Sequence, residues 1–455
     1  MGKVLVEKLL RNTQVEKIYL LIREKRGKSP KQRLQDYKDH MVFSKLRQTR
    51  PDCLKKLQLS AGDVSRPGLG LSLTDRRELT ENVSVIFHCA ANVRFDQPLA
   101  SAVLMNTKGT ARLMKLADEI KNLQAFVHVS TSYCHCGEDV LEEYYYPAPQ
   151  DPIRIMQLTD WMDPEILDVI TPKLLKLLPN TYAYTKCLSE ELVSGYAEKF
   201  PIAIGRPSIV VASWKEPIPG WIENLNGPTG LLVGAGKGII RSMHCNENYL
   251  ADLMPCDISI NALIALAWKV GTTKPKKAFY CNITESGENP ITWGEALAAG
   301  RKYVYQNPFS MMLWFPDGSI KTSAFFHALC VVFFHFLPAY LIDGLMLILR
   351  KKTFLVNVQK RIQGGLKVLQ YYTTKEWVFR NDNLKLLANE MSDRDKQIFY
   401  MDTKQINWDD YFRNYILGTR QFCLKEDPAT IPQARKLLKR LYYLDVLKNW
   451  ALVID

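Results

Sequence analysis

A tyrosine and a lysine four residues apart, Tyr182 and Lys186 in the segment TYAYTK, form a pair suited to proton transfer. On a helix, residues at this spacing share one face. The ammonium group of Lys186 favours ionisation of a neighbouring phenol, so Tyr182 could give or take a proton at neutral pH. The same spacing is common on ordinary surface helices. The pair therefore predicts acid–base chemistry when other polar groups converge on it.

Hydroxyl side chains follow an apolar run upstream of this pair, in the segment HVSTSY of residues 128–133. In a doubly wound sheet, ligands bind where the parallel strands end. We expect Thr131, and as a second choice Ser132, to hydrogen-bond a substrate carbonyl beside Tyr182. The alternative is that these hydroxyls satisfy backbone groups in a turn.

Arg23 directly follows the apolar run IYLLI and indicates a cofactor with a phosphorylated ribose. The second strand of a Rossmann sheet ends at the adenosine ribose, where an arginine matches a 2′-phosphate. The sequence therefore favours NADPH over NADH, the alternative being that Arg23 is one of several solvated loop cations. Asp63 is expected to hydrogen-bond adenine, and Ala90 and Ala91 to allow close backbone approach. Asn106 would contact either the ligand or the polar network at the strand ends.

The chain of 455 residues carries 60 Lys and Arg against 47 Asp and Glu, and its formal charge of +13 indicates an anionic partner. A phosphate-rich ligand or an acidic membrane surface would fit. No nucleic-acid-binding motif accompanies the charge, so we expect no nucleic-acid partner. The ten cysteines include no C-x-x-C pair, and the spacing of His88, His128 and His135 suits no common zinc motif. We therefore predict reduced thiols and no metal site.

Short apolar runs alternate with longer amphipathic stretches through residues 1–265, as in a parallel sheet covered by helices. The sequence predicts an α/β fold, a Rossmann-type doubly wound parallel sheet with a mostly helical C-terminal domain. The predicted domains are residues 1–270 for cofactor binding, 271–354 for a linker with an apolar segment, and 355–445 for the helical domain. Strands are predicted over residues 18–22, 83–91, 125–129 and 202–207, and helices over 102–116 and 182–200.

Residues 322–342 carry no formally charged side chain, and the segment is long enough to cross a membrane, which takes about 20 apolar residues. His327, His335 and Pro338 interrupt it, and Asp343 follows it. We predict a membrane-embedded or interfacial segment, the alternative being a long buried helix. A single crossing would place the flanking domains in different compartments, whereas a kinked, re-entrant or interfacial helix would keep both in the cytosol. The cations of residues 350–352 favour a cytosolic side.

A series of motifs runs along the chain in a fixed order: GKVLVEKLLR, IYLLIREKRGKS, GDVSRPGLGLS, VIFHCAANVRF, HVSTSY, TYAYTK, GRPSIV and EPIPGW. This series resembles the N-terminal domain of fatty acyl-CoA reductases, a group of extended short-chain dehydrogenases/reductases. The segments MSDRD and WDDYF of the C-terminal part resemble the family's male-sterility domain. The likeness covers nearly the whole chain and is greatest to animal, especially insect, members.

The resemblance implies that a long-chain acyl-CoA accepts hydride from NADPH, loses CoA as an aldehyde forms, and is reduced again to a fatty alcohol. It makes Tyr182 the proton donor and Lys186 its pKa modifier and ribose anchor. Thr131 or Ser132 would donate a hydrogen bond to the carbonyl, and Pro207 would lie among the cofactor-binding residues. The resemblance also implies a membrane-associated, cytosol-facing protein of the endoplasmic reticulum or the peroxisome.

Members of the family begin with a strand and a phosphate-binding loop of the form TGxTGFxG. Gly2 matches the third glycine of this loop, and we expect the first strand to be missing from the sheet. Its place lies between the strands that end near Arg23 and near Ala90, so two interior strand edges would lack a partner. Either the start is an internal methionine of a longer natural chain, or this is a short form that folds poorly or binds no cofactor.

Two other functions fit parts of the pattern. A catalytically silent member of the family would bind acyl-CoA or lipid without oxidising NADPH. A reductase of the same superfamily that acts on sterols is the second alternative, and the resemblance of the C-terminal half speaks against it.

Overall fold

The chain, described by a computed structural model over residues 1–285 and 287–451, divides into two compact units. Unit 1 combines Met1–Val210, Met254–Ser286 and Trp377–Thr403, and unit 2 combines Val211–Leu253, Gly287–Glu376 and Lys404–Asp455. These boundaries differ from the predicted domains because each unit is assembled from segments that lie far apart in the sequence.

Strands and helices alternate through the N-terminal half, and helices dominate thereafter. The strands are β1 (Ile18–Ile22), β2 (Leu57–Ala61), β3 (Val85–His88), β4 (Ala125–Val129), β5 (Val140–Leu141), β6 (Ile202–Pro207), β7 (Ile209–Val211), β8 (Ser242–His244), β9 (Leu253–Pro255), β10 (Phe279–Ile283), β11 (Ser319–Lys321) and β12 (Val378–Phe379). The α-helices are α1 (Gly2–Asn12), α2 (Pro30–Lys38), α3 (Ser44–Thr49), α4 (Leu73–Asn82), α5 (Leu99–Ala102), α6 (Lys108–Glu119), α7 (Pro152–Trp161), α8 (Pro164–Leu175), α9 (Thr181–Ser194), α10 (Pro228–Gly236), α11 (Cys256–Thr273), α12 (Trp293–Gln306), α13 (Ala324–Cys330), α14 (Leu337–Ile348), α15 (Leu355–Thr373), α16 (Asp382–Glu390), α17 (Asp393–Ile398), α18 (Trp408–Gly418) and α19 (Ile431–Ala451).

The central feature of unit 1 is a parallel sheet in the order β10-β6-β4-β3, with a separate parallel pair of β1 and β2. The predicted strands at 18–22, 125–129 and 202–207 are confirmed, and the predicted strand at 83–91 is the shorter β3. Strands β4 and β6 are wholly buried, and buried parallel strands read as continuous apolar runs, which is why the sequence revealed these two. Over the described ranges, β1 pairs with β2 alone and β3 with β4 alone, so each has one edge without a partner strand, as expected.

Helices α6 and α9 pack against this sheet through apolar faces. Met114 of α6 and Val193 of α9 join Phe126 of β4 and Ile204 of β6 in one buried cluster. Full burial of a side chain of this size stabilises a fold by about 1.5–3 kcal/mol, so this cluster fixes both helices on the sheet. The helix predicted over 102–116 comprises α5, a π-helical turn over Val103–Thr107 and α6, and the one predicted over 182–200 ends with α9 at Ser194.

Two segments outside the predicted cofactor domain complete unit 1. Strand β10 lies in the range predicted as a linker, and α16 lies in the predicted C-terminal domain. The Glu143 carboxylate accepts the backbone N–H groups of Asn282 in β10 (2.7 Å) and Asn383 in α16 (2.6 Å). The Asn282 amide also donates to the carbonyl of Arg380. These long-range bonds attach both segments to the sheet.

The apolar segment of unit 2 forms a helical hairpin. Helix α13, a π-helical turn over Val331–Phe336 and α14 run on continuously from Ala324 to Ile348, and α15 then turns back. The Asp343 carboxylate accepts the N–H groups of Phe354, Leu355 and Val356, which caps the first turn of α15. Within the described part of the chain, Ala324–Ile348 is the one helix long and apolar enough to cross a membrane. Most of it is exposed, so it is not a buried core helix.

The polar residues that interrupt this helix face the body of unit 2. His327 Nδ1 lies 2.9 Å from the Ser242 hydroxyl, and His335 Nε2 accepts the backbone N–H of Arg241 at 2.9 Å. Both ends of the hairpin meet at His244, whose Nε2 lies 3.0 Å from the Thr322 carbonyl and whose own carbonyl accepts the Thr373 hydroxyl at 3.0 Å. The chain therefore enters and leaves the hairpin at one place.

Candidate active site

A turn of hydroxyl residues continues from the end of β4 alongside β6. The backbone N–H groups of Ser130 and Ser132 donate to the carbonyls of Gly205 (2.7 Å) and Pro207 (3.0 Å). The Ser132 hydroxyl donates to the Arg206 carbonyl at 2.6 Å and is fully buried. This hydroxyl thus supports the turn, as the alternative interpretation proposed for it.

Thr131 faces the catalytic tyrosine predicted from the sequence. Tyr182 lies in the first turn of α9, which the Asn180 side chain caps by accepting the Ala183 N–H at 2.9 Å. The Thr131 side chain is close enough to the Tyr182 phenol to lower its pKa, and the Tyr182 ring lies 5.4 Å from the ring of Phe95 between centroids. The structure therefore brings together the first-choice hydroxyl and the tyrosine.

Burial decides the protonation of this tyrosine. Loss of solvation raises the pKa of Tyr182, the charge of Cys134 raises it further, and the Thr131 side chain lowers it. The predicted influence of Lys186 is not among these causes, and the buried Lys186 ammonium donates to the Val129 carbonyl at 2.6 Å. Burial lowers the pKa of Lys186 to about 8. Tyr182 is consequently protonated at neutral pH, the state that a proton donor requires.

The predicted cofactor residues lie at the carboxyl ends of the strands in unit 1. Arg23 follows β1 and Asp63 follows β2, and their side chains form an ion pair with Nη1 and Oδ2 3.3 Å apart. Asp63 also accepts the backbone N–H and the hydroxyl of Ser65. The Arg23 side chain keeps 44% of its surface exposed, so it is available to an anionic group.

Some of the other predicted cofactor residues leave space for a ligand, whereas one already makes its hydrogen bonds within the protein. Ala90 is exposed and Ala91 half-buried in the loop after β3, and Gly2 begins α1 with no heavy atom within 4 Å of a Cβ placed there. Asn106 is buried, and its amide bonds the backbone of Asn92 and the Thr185 hydroxyl. Asn106 therefore joins the loop after β3 to α9, and this favours the network role for it.

Pro207 closes β6 and accepts a bond from the turn that carries Thr131. Next to this turn, the Ser130 hydroxyl is buried and has no hydrogen-bond partner over the described ranges. The loop with Ala90, the exposed Arg23 and the unpaired Ser130 hydroxyl all lie at the ends of parallel strands. This arrangement fits a dinucleotide that runs across the strand ends.

One group of residues beside this site was not predicted. Cys134 and His135 follow the hydroxyl turn, and α9 carries Cys187 directly after Lys186 and Glu190 one turn after Lys186. The fold brings all four into mutual contact, and all are buried. Adjacent Cys and His residues after a predicted strand end were the available signal, but their partners lie on a separate helix.

His88 and His128 lie in the core of the sheet, as predicted, with ring centroids 5.2 Å apart. His88 bonds the Thr110 hydroxyl at 2.9 Å, and burial lowers its pKa to about 3. Both rings are therefore neutral packing residues.

Comparison with known proteins agrees with this arrangement. Residues 1–263 and 334–426 each match a family described as male sterility protein. Fatty acyl-CoA reductase 1 of Xenopus laevis is 38% identical over 455 residues, which cover 100% of this chain and 88% of the relative. The human fatty acyl-CoA reductase 1 is 37% identical over the same shares. Fatty acyl-CoA reductase wat of Drosophila melanogaster is 37% identical over 97% of this chain and 86% of its own length.

Solved structures show a similar fold at low sequence identity. The terminal R domain of the myxalamid PKS-NRPS pathway has a TM-score of 0.60 and 17% identity, covering 94% of this chain and 90% of that domain. The reductase domain of a nonribosomal peptide synthetase from Mycobacterium tuberculosis has a TM-score of 0.58 and 16% identity, covering 92% and 88%. With full-length relatives at this level of identity, the chain belongs to the fatty acyl-CoA reductase family.

Proposed function

We propose that this protein reduces a long-chain fatty acyl-CoA to a fatty alcohol with NADPH and releases free CoA. The observation that carries the proposal is that the Thr131 side chain lies close enough to the Tyr182 phenol, at the carboxyl end of the sheet, to lower the pKa of that phenol. Two hydroxyl donors that meet at one point can hold a single carbonyl oxygen. Membership of the family supports a thioester of CoA as the source of that carbonyl.

Each residue of the pair has a distinct task. Thr131 positions the carbonyl oxygen, and Tyr182 transfers its proton to that oxygen as negative charge develops there. The raised pKa of Tyr182 keeps the proton in place until it is needed. Lys186 lies one turn further along α9 and, held by the Val129 carbonyl, anchors the ribose. The cofactor supplies hydride twice for each alcohol formed.

The cofactor preference follows from the exposed guanidinium of Arg23. A 2′-phosphate would add a second partner for this guanidinium beside Asp63. The charge of +13 also suits a protein whose two ligands, NADPH and an acyl-CoA, are both polyanions.

The test is an assay of NADPH oxidation with a series of saturated long-chain acyl-CoAs, followed by identification of the lipid product. We expect a primary alcohol and free CoA. Tyr182→Phe should lower kcat by about 10²–10⁴-fold, the usual contribution of a positioned proton donor. Tyr184→Phe is the matched control, because Tyr184 lies on the same helix but bonds Gln150. Loss of activity in both variants would contradict the proposed role of Tyr182.

The silent-binder alternative is tested in the same experiment. The 455-residue chain is compared with a form extended upstream by a strand and a TGxTGFxG loop. If neither form oxidises NADPH while both bind acyl-CoA, the protein is a binding member of the family. Turnover by either form that Tyr182→Phe abolishes supports the enzyme.

We also propose that the hairpin of α13, α14 and α15 lies in the membrane interface and does not cross the bilayer. Its two ends meet at His244, and the polar residues of the apolar helix face unit 2 along its length. The opposite side exposes a row of apolar side chains, including Phe325, Phe333, Leu341 and Leu345. Such a helix buries one face among the acyl chains while the other stays on the protein.

The cations of residues 350–352 at the tip of the hairpin would contact acidic headgroups. Flotation with vesicles that contain acidic phospholipid tests this arrangement. The double variant Leu341→Glu, Leu345→Glu should float at least about 10-fold less, because two charges would enter the hydrocarbon region. Val169→Glu, an equally exposed position on α8, should float like the unsubstituted chain. A Lys352→Cys thiol protected from an impermeant maleimide would instead show that the tip crosses.

A further inference from the structure

Two cysteines and a histidine, all potential metal ligands, lie together beside the catalytic pair. Cys187 Sγ lies 3.7 Å from His135 Nδ1, and Cys187 contacts the backbone of Cys134 through a bond from its thiol to the Cys134 carbonyl. Ligand atoms of Cys134, His135 and Glu190 all lie within 4.8 Å of one another, and the Cys134 thiol donates to Glu190 Oε1 at 3.2 Å. All three ligand side chains are buried. Tetrahedral Zn²⁺ bound to sulfur and nitrogen separates the two atoms by about 3.6 Å, close to the observed spacing.

A second layer of side chains already orients the histidine as in metal sites. His135 Nε2 lies 3.3 Å from Glu190 Oε2, which leaves Nδ1 turned toward the thiols. Glu190 is fixed in turn by the buried Arg206, whose Nη2 and Nε donate to its two oxygens at 2.7 and 3.0 Å. A metal-binding histidine usually donates its second N–H to a carboxylate that is itself held in place.

We propose that Cys134, Cys187 and His135 bind one Zn²⁺ ion or a similarly soft divalent cation, with Glu190 orienting His135. Two thiolates and an imidazole are the donors that such cations prefer over oxygen-only sites. The two negative thiolates balance the charge of the ion, while the pair of Glu190 and Arg206 is already neutral. The buried site thus holds no net charge when the ion is bound.

The bound ion would connect the two parts of the candidate active site. Cys134 belongs to the turn that carries Thr131, and Cys187 follows Lys186 on the helix that carries Tyr182. This inference is independent of the proposed reaction, because it depends on the ligand geometry alone. The predicted lack of a metal site came from sequence spacing, which brings Cys134 and His135 together but not Cys187.

The experiment uses the full chain, purified with a reducing agent and freed of metal by a chelator, and titrated with Co²⁺ as the probe. We expect one equivalent to bind with the thiolate-to-cobalt absorption and the strong visible bands of a tetrahedral sulfur site, and Zn²⁺ to displace it. Cys134→Ser and Cys187→Ser should lose this spectrum. Cys281→Ser, an equally buried cysteine of unit 1 outside the group, should keep it.

X-ray absorption of the zinc-loaded chain decides the question without any variant. Two sulfur ligands at about 2.3 Å and nitrogen at about 2.0 Å would support the site. Substoichiometric binding, a shell of oxygen and nitrogen alone, or a cobalt spectrum that survives in Cys187→Ser would overturn it. A rise in thermal midpoint with Zn²⁺ in the parent chain, absent from Cys187→Ser, gives a further readout that is independent of activity.

Discussion

Replacement of Arg206 by methionine tests whether the buried ion pair behind the active site determines the stability of unit 1. Arg206 is wholly buried and Glu190 is 2% exposed. The guanidinium donates to both Glu190 oxygens and also to the carbonyls of Glu142 and Tyr144. Met has a similar length and no charge, so Arg206→Met leaves the Glu190 carboxylate buried without its main partner.

The expected cost is large because the pair lies in a low-dielectric interior. Removal of one partner of a buried pair destabilises a protein by about 3–5 kcal/mol. For a unit of this size, each kcal/mol lowers the thermal midpoint by about 2–4 °C, so the expected drop is about 6–20 °C. The double replacement Arg206→Met, Glu190→Leu removes both charges and should recover at least about half of this loss.

Differential scanning calorimetry on the parent chain and the three variants measures these changes. Lys199→Met is the control, since Lys199 pairs with Asp118 on the surface and exposed pairs contribute about 0–1 kcal/mol. Equal midpoints for Arg206→Met and the double variant would refute the reasoning, because the cost would then not come from the unpaired carboxylate. A drop no larger than that of Lys199→Met would refute it as well.

Three further predictions concern single residues of unit 1. Thr131→Val should lower kcat by about 10²–10³-fold in the acyl-CoA assay, as expected for a lost donor to the reacting oxygen. Ser132→Ala should mainly lower the free energy of unfolding, by about 1 kcal/mol, seen as a lower thermal midpoint. Arg23→Ala should raise KM for NADPH about 10-fold and leave KM for NADH nearly unchanged, which steady-state kinetics with each cofactor will show. Burial raises the pKa of Glu143 to about 7, so the folded state holds a proton that the unfolded state releases near 4.5. The stability of the parent relative to Glu143→Gln should therefore fall as pH rises from about 4.5 to 7, measured as the difference between their thermal midpoints.

Local signals account for the elements that the sequence predicted well. AFVHV and IAIGRP are short apolar runs because both faces of a central parallel strand are buried, and β4 and β6 match them. IYLLI matches the half-buried β1. The hydroxyl turn and the Tyr182–Lys186 spacing were likewise visible, because each depends on neighbours along the chain. What these residues bond was not visible, since the Lys186 ammonium turned out to bind the Val129 carbonyl.

Long-range contacts account for the elements that the sequence misplaced. FYCNI of β10 falls in the range predicted as a linker, and its Asn282 side chain donates to the carbonyls of Leu141 and Arg380, which lie far away in the sequence. Cys187 is similar, because it follows Lys186 without any local motif and gains its neighbours when α9 packs beside the turn after β4. Sequence spacing predicts such groups only when their members share one element.

The meeting of both hairpin ends at His244 makes residues 323–372 a removable insert. A linker of about four residues could join Thr322 to Thr373, because both bond the same residue. The shortened chain would lose the exposed apolar side chains of α13 and α14. This shortened chain would be a form for crystallisation without detergent. Its turnover of water-soluble short-chain acyl-CoAs would measure the reduction step by itself, without the delivery of substrate from the membrane.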